Sequence, residues 1–281
     1  MLTKNGIIEL SKRNGFFLSK KLGQNFLIDK NVRDKIVRHL GLKKEDAVFE
    51  IGPGLGSLTE AIAASCRIVY AVEIDRKIYE AVSDIFSRSP NVRILNGDVI
   101  DFDMAVLSED RLKVVGALPF YITSPIIQYL MQWKGRIDEI YIVIQKEVAD
   151  RLAAKTGDKD YGAFTLFVRY HTKVQHVMDI KKNCFFPVPK VDSSLLKMTV
   201  LDTPSVMVKD DQTLFKIIRQ SFGQRRKTLL TSLSHKRGLG LDKDGVRHLL
   251  KAVGIDPKMR PEGLSLEQFA AISDAFVDFV L

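Results

Sequence analysis

Glu50-Ile51-Gly52-Pro53-Gly54-Leu55-Gly56 is the densest run of chemically informative residues in the chain. Glycines there let a backbone turn sharply and approach a ligand that a β-carbon would obstruct. The spacing is Glu-x-Gly-x-Gly-x-Gly, with Ser57-Leu58 where a Gly-x-Gly-x-x-Gly turn needs its third glycine. An acid just before such a turn suits a ligand carrying positive charge and is an odd partner for a pyrophosphate. Two further acids follow strand-like runs, Glu73 in Val72-Glu73-Ile74-Asp75 and Asp98 in Asn96-Gly97-Asp98. Glu73 can accept both hydroxyls of a ribose, and Asp98 the amino group of an adenine. Singly, an acid after a strand is more often a helix cap or a solvated turn. In order, after successive strands, the three converge on one crevice.

S-adenosylmethionine has an amino group, a sulfonium and no phosphate, and it suits these residues better than a dinucleotide does. A class I methyltransferase core is therefore expected over a dehydrogenase. The elements that must position the acids follow from periodicity. Asp29 caps a helix with Val32, Ile36, Val37 and Leu40 on one face and Gly41 at its end. Ala47 to Ile51, Arg67 to Glu73, Val92 to Leu95, Lys113 to Val115 and Ile137 to Ile144 are strand-like, with helices after the glycine turn and over Asp75 to Phe86. Such alternation implies a mostly parallel α/β sheet covered on both faces. Lys173 to Ile180 and Ser194 to Val200 lack a helix between them, so the sheet is expected to close with an antiparallel strand. Beyond Thr203-Pro204, Leu214-Ile217-Ile218, Leu229-Leu230-Leu233, Val246-Leu249-Leu250 and Phe269-Ile272-Phe276 recur at helical spacing. The domains expected are 1–203, with the first 28 residues as a basic arm, and a small helical domain over 204–281.

After the fourth strand comes Ala117-Leu118-Pro119-Phe120. It resembles the Asn-Leu-Pro-Tyr/Phe motif of adenine-N6 methyltransferases. Lys21-Leu22-Gly23-Gln24-Asn25-Phe26-Leu27-Ile28-Asp29, the loop from Phe185-Phe186-Pro187 to Ser193, Ser221-Phe222-Gly223-Gln224-Arg225-Arg226-Lys227 and Arg260-Pro261-Glu262-Gly263 extend the likeness over nearly the whole chain. Together they resemble the ribosomal-RNA adenine dimethyltransferases, a family that dimethylates adjacent adenines in small-subunit ribosomal RNA. The resemblance implies S-adenosylmethionine contacts at Asn25, Leu27, Gly52, Gly54, Glu73, Ile74, Asp98, Val99 and Ala117. It implies base-stacking roles for Phe120 and Phe185, and amine-orienting roles at the position of Ala117 and at the Leu118 or Pro119 carbonyl. One position departs from the pattern: the family's Asn is Ala117 here. A methyl group accepts no hydrogen bond, so a loss on the order of 100- to 1,000-fold in rate is expected, by analogy with removing one oxyanion-hole donor.

The chain has 281 residues and a formal charge of +9, which favours a nucleic-acid partner over an anionic membrane surface. From Gln212 to Leu241 there are seven Lys/Arg and no acid. A short charge run is often only a solvated face. Here Arg219, Arg225, Arg226 and Lys227 are expected to touch phosphates of a folded small-subunit RNA, in a loop or helix end from which the base is turned out. Tyr161-Gly162 either borders the reaction pocket or fills a surface loop. Two cysteines without metal-ligand spacing, no apolar run of membrane length and no apolar signal core lead to the expectation of a cytoplasmic monomer without metal. Two other readings remain: a ribosome-assembly factor with little or no catalysis, and a methyltransferase of large-subunit RNA.

Overall fold

The computed structural model describes residues 3–15, 24–119, 122–224, 226–234 and 239–280. Seven strands form the main sheet: β2 (Ala47–Ile51), β3 (Ile68–Glu73), β4 (Val92–Asn96), β5 (Leu112–Ala117), β6 (Ile137–Gln145), β7 (Thr172–Ile180) and β9 (Ser193–Val200). Their order is β4-β3-β2-β5-β6-β9-β7. The neighbours from β4 to β6 pair in parallel, and β9 pairs antiparallel with β6. Parallel strands with both faces covered must be apolar throughout. Accordingly every residue of β2 is buried, Glu50 included.

The helices of this part are α1 (Lys4–Asn14), α2 (Lys30–Leu40), α3 (Ser57–Ala63), α4 (Arg76–Phe86) and α5 (Thr123–Gln132). Side chains before the helices fix where they start. Asp29 accepts from the Val32 N–H at 3.0 Å, and Asp75 from those of Lys77 and Ile78. Gly41 ends α2 with φ of 54°, a left-handed conformation that a β-carbon penalises. The apolar face of α4, with Ile78, Ala81, Val82 and Phe86, packs inward. Strand order reverses between β2 and β5, and in an open sheet of this kind ligands bind in the crevice outside the carboxyl ends at that point.

A second, two-stranded sheet joins β1 (Phe26–Leu27) to β8 (Phe185–Phe186) in antiparallel register, Phe26 opposite Phe186 and Leu27 opposite Phe185. The Ile28 N–H donates to the Cys184 carbonyl at 2.8 Å and prolongs the contact. The basic arm thus contains a helix. Thr3 caps α1, and Ile7 is buried in a cluster with Phe26, Leu55, Ile78 and Ala81.

The chain divides into two compact units, Met1–Ala149 with Lys173–Val200, and Asp150–Thr172 with Leu201–Leu281. The sequence places Asp150–Thr172 in the first domain, but its helix α7 (Ala163–His171) packs in the helical unit. Leu166 and Tyr170 share that unit's core with Leu214, Ile217 and Ile218 of α8 (Asp211–Phe222). The same core takes side chains from α9 (Leu229–Leu233), α10 (Lys243–Ala252) and α11 (Leu266–Val280). Helix α6 (Lys146–Ala153) bridges the division in sequence. Tyr161 is a core residue here, its hydroxyl donating to the Leu264 carbonyl at 3.0 Å, and is neither pocket edge nor surface filler. Among the described residues no helix is long and apolar enough to cross a membrane.

Candidate active site

The first unit carries a cleft of about 1170 Å³, counted to its open mouth, at the reversal point of the sheet. Its floor is the glycine turn after β2. Gly52 and Gly54 have φ of 67° and 56°, and a β-carbon on Gly54 would lie 2.9 Å from the Phe26 ring. A β-carbon on Gly52 would meet nothing within 4 Å, so the absence of a side chain keeps that stretch of the cleft open. Asn25, Leu27, Gly52, Gly54, Glu73, Ile74, Asp98, Val99 and Ala117, the expected cofactor contacts, all line this one cleft.

Three acids line it, Glu50, Glu73 and Asp98, and no Lys, Arg or His among the described residues does. Glu73 is buried; its Oε1 accepts from the Asp75 N–H at 3.0 Å and its Oε2 from the Gly54 N–H at 3.2 Å. Each carboxylate oxygen has two acceptor sites, so these bonds aim the group and leave capacity for two ligand hydroxyls. Burial raises the Glu73 carboxyl above the usual range despite those bonds. Asp98 accepts from the Ile100 N–H at 3.0 Å and so caps the short turn that carries Val99. Glu50 is 1% exposed, and its Oε2 has no hydrogen-bond partner. Burial pushes its carboxyl up to about 7; the Thr59 hydroxyl on the α3 side opposes the shift, and the Glu73 charge adds to it. A buried acid with one oxygen left without a partner, beside another acid and with no basic lining residue among those described, is matched by a ligand with hydroxyls at one place and a positive charge at another. S-adenosylmethionine fits that donor set.

A smaller cavity adjoins, lined by Asn25, Ala117, Leu118, Val143, Phe185, Pro189 and Ser193. Asn25 and Ala117 line both cavities. The sheet sets Ala117 here, because it ends β5 opposite Val143 of β6, and the Leu118 N–H donates to the Val143 carbonyl at 2.9 Å. The β1–β8 pair sets Asn25 and Phe185, since Leu27 and Phe185 are register partners. Pro119 lines the larger cleft, and its carbonyl accepts from the Thr123 hydroxyl at 3.2 Å and the Ile122 N–H at 3.3 Å. Phe120 lies outside the described residues, as does Lys21-Leu22-Gly23 of the amino-terminal motif.

In the helical unit Arg219, Arg226 and Lys227 are exposed, Arg219 near the end of α8 and the other two in the turn that follows. Arg225 lies outside the described residues. The structure also adds cleft residues that sequence reasoning missed. Gln24 lines the cleft, and its amide donates to the Asp75 carboxylate at 3.0 Å. Ile7, Ile122 and Ile126 line it from α1 and from α5 and its cap. The i, i+4 spacing of Ile122 and Ile126 marks a helix face, but nothing in it separates a cleft wall from core.

Comparison with known proteins agrees with this geometry. Residues 15–278 match the family model described as ribosomal RNA adenine dimethylase. The ribosomal RNA small subunit methyltransferase A of Geobacillus thermodenitrificans is 43% identical over 96% of this chain and 94% of its own length. The protein of that name from Bacillus mycoides is 39% identical over 98% and 97%. Among solved structures, a dimethyladenosine transferase from Plasmodium falciparum superposes with a TM-score of 0.75 at 23% identity, over 88% of this chain and 95% of its own. The 23S rRNA methyltransferase ErmE gives 0.69 at 24%, over 90% and 100%. Both share the class I methyltransferase fold seen here. The family's enzymes use S-adenosylmethionine and methylate adenine in ribosomal RNA, and this chain belongs to the ribosomal RNA adenine dimethylase family.

Proposed function

We propose that this chain dimethylates the N6 amines of two adjacent adenines in a small-subunit ribosomal RNA loop during subunit maturation, and that Ala117 slows the chemical step. The observation that carries the reading is the pair of cavities sharing Asn25 and Ala117. A donor held in the larger and a base held in the smaller would meet at those two residues.

When bound, S-adenosylmethionine supplies a methyl group made electrophilic by the sulfonium. Glu73 accepts the ribose hydroxyls, Asp98 accepts the adenine amino group, and Ile74 and Val99 flank the purine. Asn25 and Leu27, held by the β1–β8 pair, close the cleft from the amino-terminal side. Phe185, buried at the wall of the smaller cavity, and Phe120 are the two stacking positions for the incoming base. An aromatic amine is a poor nucleophile because its lone pair is delocalised into the ring. Accepting its hydrogens turns that lone pair toward the methyl group. The Pro119 carbonyl already accepts two bonds, which fill its two lone pairs, and this favours the Leu118 carbonyl as one acceptor. At the second acceptor position Ala117 offers only a methyl group.

Arg219, Arg225, Arg226 and Lys227 hold RNA phosphates and carry no sequence information themselves. The chain acts as a cytoplasmic monomer on the pre-ribosomal subunit. Ala117 favours a second reading, an assembly factor that binds the subunit and transfers little or nothing. Single-turnover methyl transfer to under-methylated small subunits separates the two. Ala117→Asn is expected to raise the rate by roughly two to three orders of magnitude with little change in RNA affinity. If neither form transfers while both bind subunits, the assembly-factor reading replaces the enzymatic one.

A further inference from the structure

The Glu50 carboxyl is not used by the mechanism above. Its place follows from strand register. Glu50 of β2 pairs with Ala71 of β3 and Val115 of β5. Glu73 and Ala117 stand two residues further along those strands, and side chains two apart share a sheet face. Glu50 therefore points to the same face as both, one step deeper and between them. If Glu73 marks the ribose and Ala117 the point of methyl transfer, the part of the cofactor above Glu50 is the sulfonium.

Among the described residues, the charged groups that line the cleft are all acids. Glu73 faces Glu50 from β3, with Asp75 beside Glu73, and Asp98 lines the cleft after β4. On the α3 side lies the Thr59 hydroxyl. From β5, Val115 and Ala117 bring no titratable group, and among the described residues of the amino-terminal segment the polar ones at the cleft are Gln24 and Asn25. Among the described residues lining the cleft, no fixed cation offsets Glu50.

We propose that Glu50 is a charge-sensing residue that gives up its proton when the sulfonium of S-adenosylmethionine binds and regains one once methyl transfer has made that sulfur neutral. It rests on the cofactor reading above. The balance is simple. On binding, the Glu50 carboxylic acid becomes a carboxylate and one proton goes to solvent. On transfer, the new N–C bond would form as the S–CH3 bond breaks and leaves its electron pair on sulfur; the adenine amine loses one proton to solvent, and the carboxylate takes one back from solvent. Glu50 would thus favour the cationic cofactor over its neutral thioether by-product and help the by-product leave. With the free carboxyl at about 7, the proton is roughly half present at neutral pH, so binding is linked to pH where the enzyme works.

The test is isothermal calorimetry of the full chain in buffers of different ionisation enthalpy. S-adenosylmethionine is expected to release about half a proton at pH 7, approaching one at pH 6 and little at pH 8, and to bind about tenfold tighter at pH 8 than at pH 6. S-adenosylhomocysteine keeps the ammonium but lacks the sulfonium, and is expected to release almost none. Glu50→Gln should abolish the release. Independently of any variant, difference infrared spectroscopy on the unaltered chain should show a carboxylic-acid carbonyl band that S-adenosylmethionine removes and S-adenosylhomocysteine does not. Equal release with both ligands, binding without release, or release that persists in Glu50→Gln overturns the proposal while leaving the cofactor reading intact. Absence of any binding heat together with no spectral change overturns both.

Discussion

Glu73 and Glu50 are both buried carboxyls at one end of adjacent strands, and their hydrogen bonds give them different work. Two backbone N–H groups hold Glu73 in place. Hydrogen bonds to a charged acceptor contribute about 1.5–3 kcal/mol each. Glu73→Ala is therefore expected to weaken S-adenosylmethionine binding at least tenfold in a folded variant, as read by calorimetry. Unchanged affinity removes Glu73 from the site. Glu50 Oε2 has no such partner, and its carboxyl stands at about 7 against a usual value near 4.5. The folded state thus keeps a proton that the unfolded chain has lost across that interval. The cost of Glu50 is absent below the unfolded value, grows as pH rises, and is complete above 7, where it reaches on the order of 3 kcal/mol. Glu50→Gln should raise the melting temperature at pH 8 and change it little near pH 4. A gain that is the same at both values contradicts a raised carboxyl. The identities of Glu73, Asp98 and Gly52 were legible because each follows a strand whose apolar run ends in the sequence. That Oε2 of Glu50 would be left unpartnered was not, since it depends on which residues surround a buried atom.

Short elements decide which residues reach the cleft. The main strands and α2 and α4 were legible because burial on both faces or on one stripe writes a period into the sequence. The two-residue strands β1 and β8 are too short to carry one, although their pairing places Asn25 between the cavities and Phe185 against the smaller. Helix α1 has end signals in Thr3 and Gly15, but its Asn5-Gly6 start is poor in helix formers, so the sequence reads there as a basic arm. Its docking relies on Ile7, which is 1% exposed and also lines the cleft. Ile7→Ala removes about 2 kcal/mol of burial from a terminal element that can undock alone. Cofactor affinity is expected to fall about tenfold while the main thermal transition hardly moves. A large drop in melting temperature with unchanged affinity would make α1 a structural brace and not part of the cleft.

The chain as a whole joins a cofactor-binding α/β unit to a helical unit, and its +9 charge calls for a polyanion. The helical periodicity after residue 204 was legible. The recruitment of Asp150–Thr172 to the helical unit was not, because Leu166 and Tyr170 show an apolar face without showing which core it joins. Arg226 and Lys227 are exposed in the turn after α8. Replacing both with Ala should weaken binding to small-subunit RNA and flatten its salt dependence by about one charge-equivalent per lost contact, with S-adenosylmethionine affinity unchanged. An unaltered slope returns them to a solvated face. The central claim, adenine dimethylation of small-subunit RNA, is tested most directly by mapping where methyl groups land. The chain and its Ala117→Asn variant are incubated with labelled S-adenosylmethionine and under-methylated small or large subunits, and the digested RNA is read by mass spectrometry. N6,N6-dimethyladenine at two neighbouring nucleotides of small-subunit RNA, formed slowly by the chain and fast by Ala117→Asn, is the predicted result. Label that appears in large-subunit RNA, or on any base other than adenine, contradicts it.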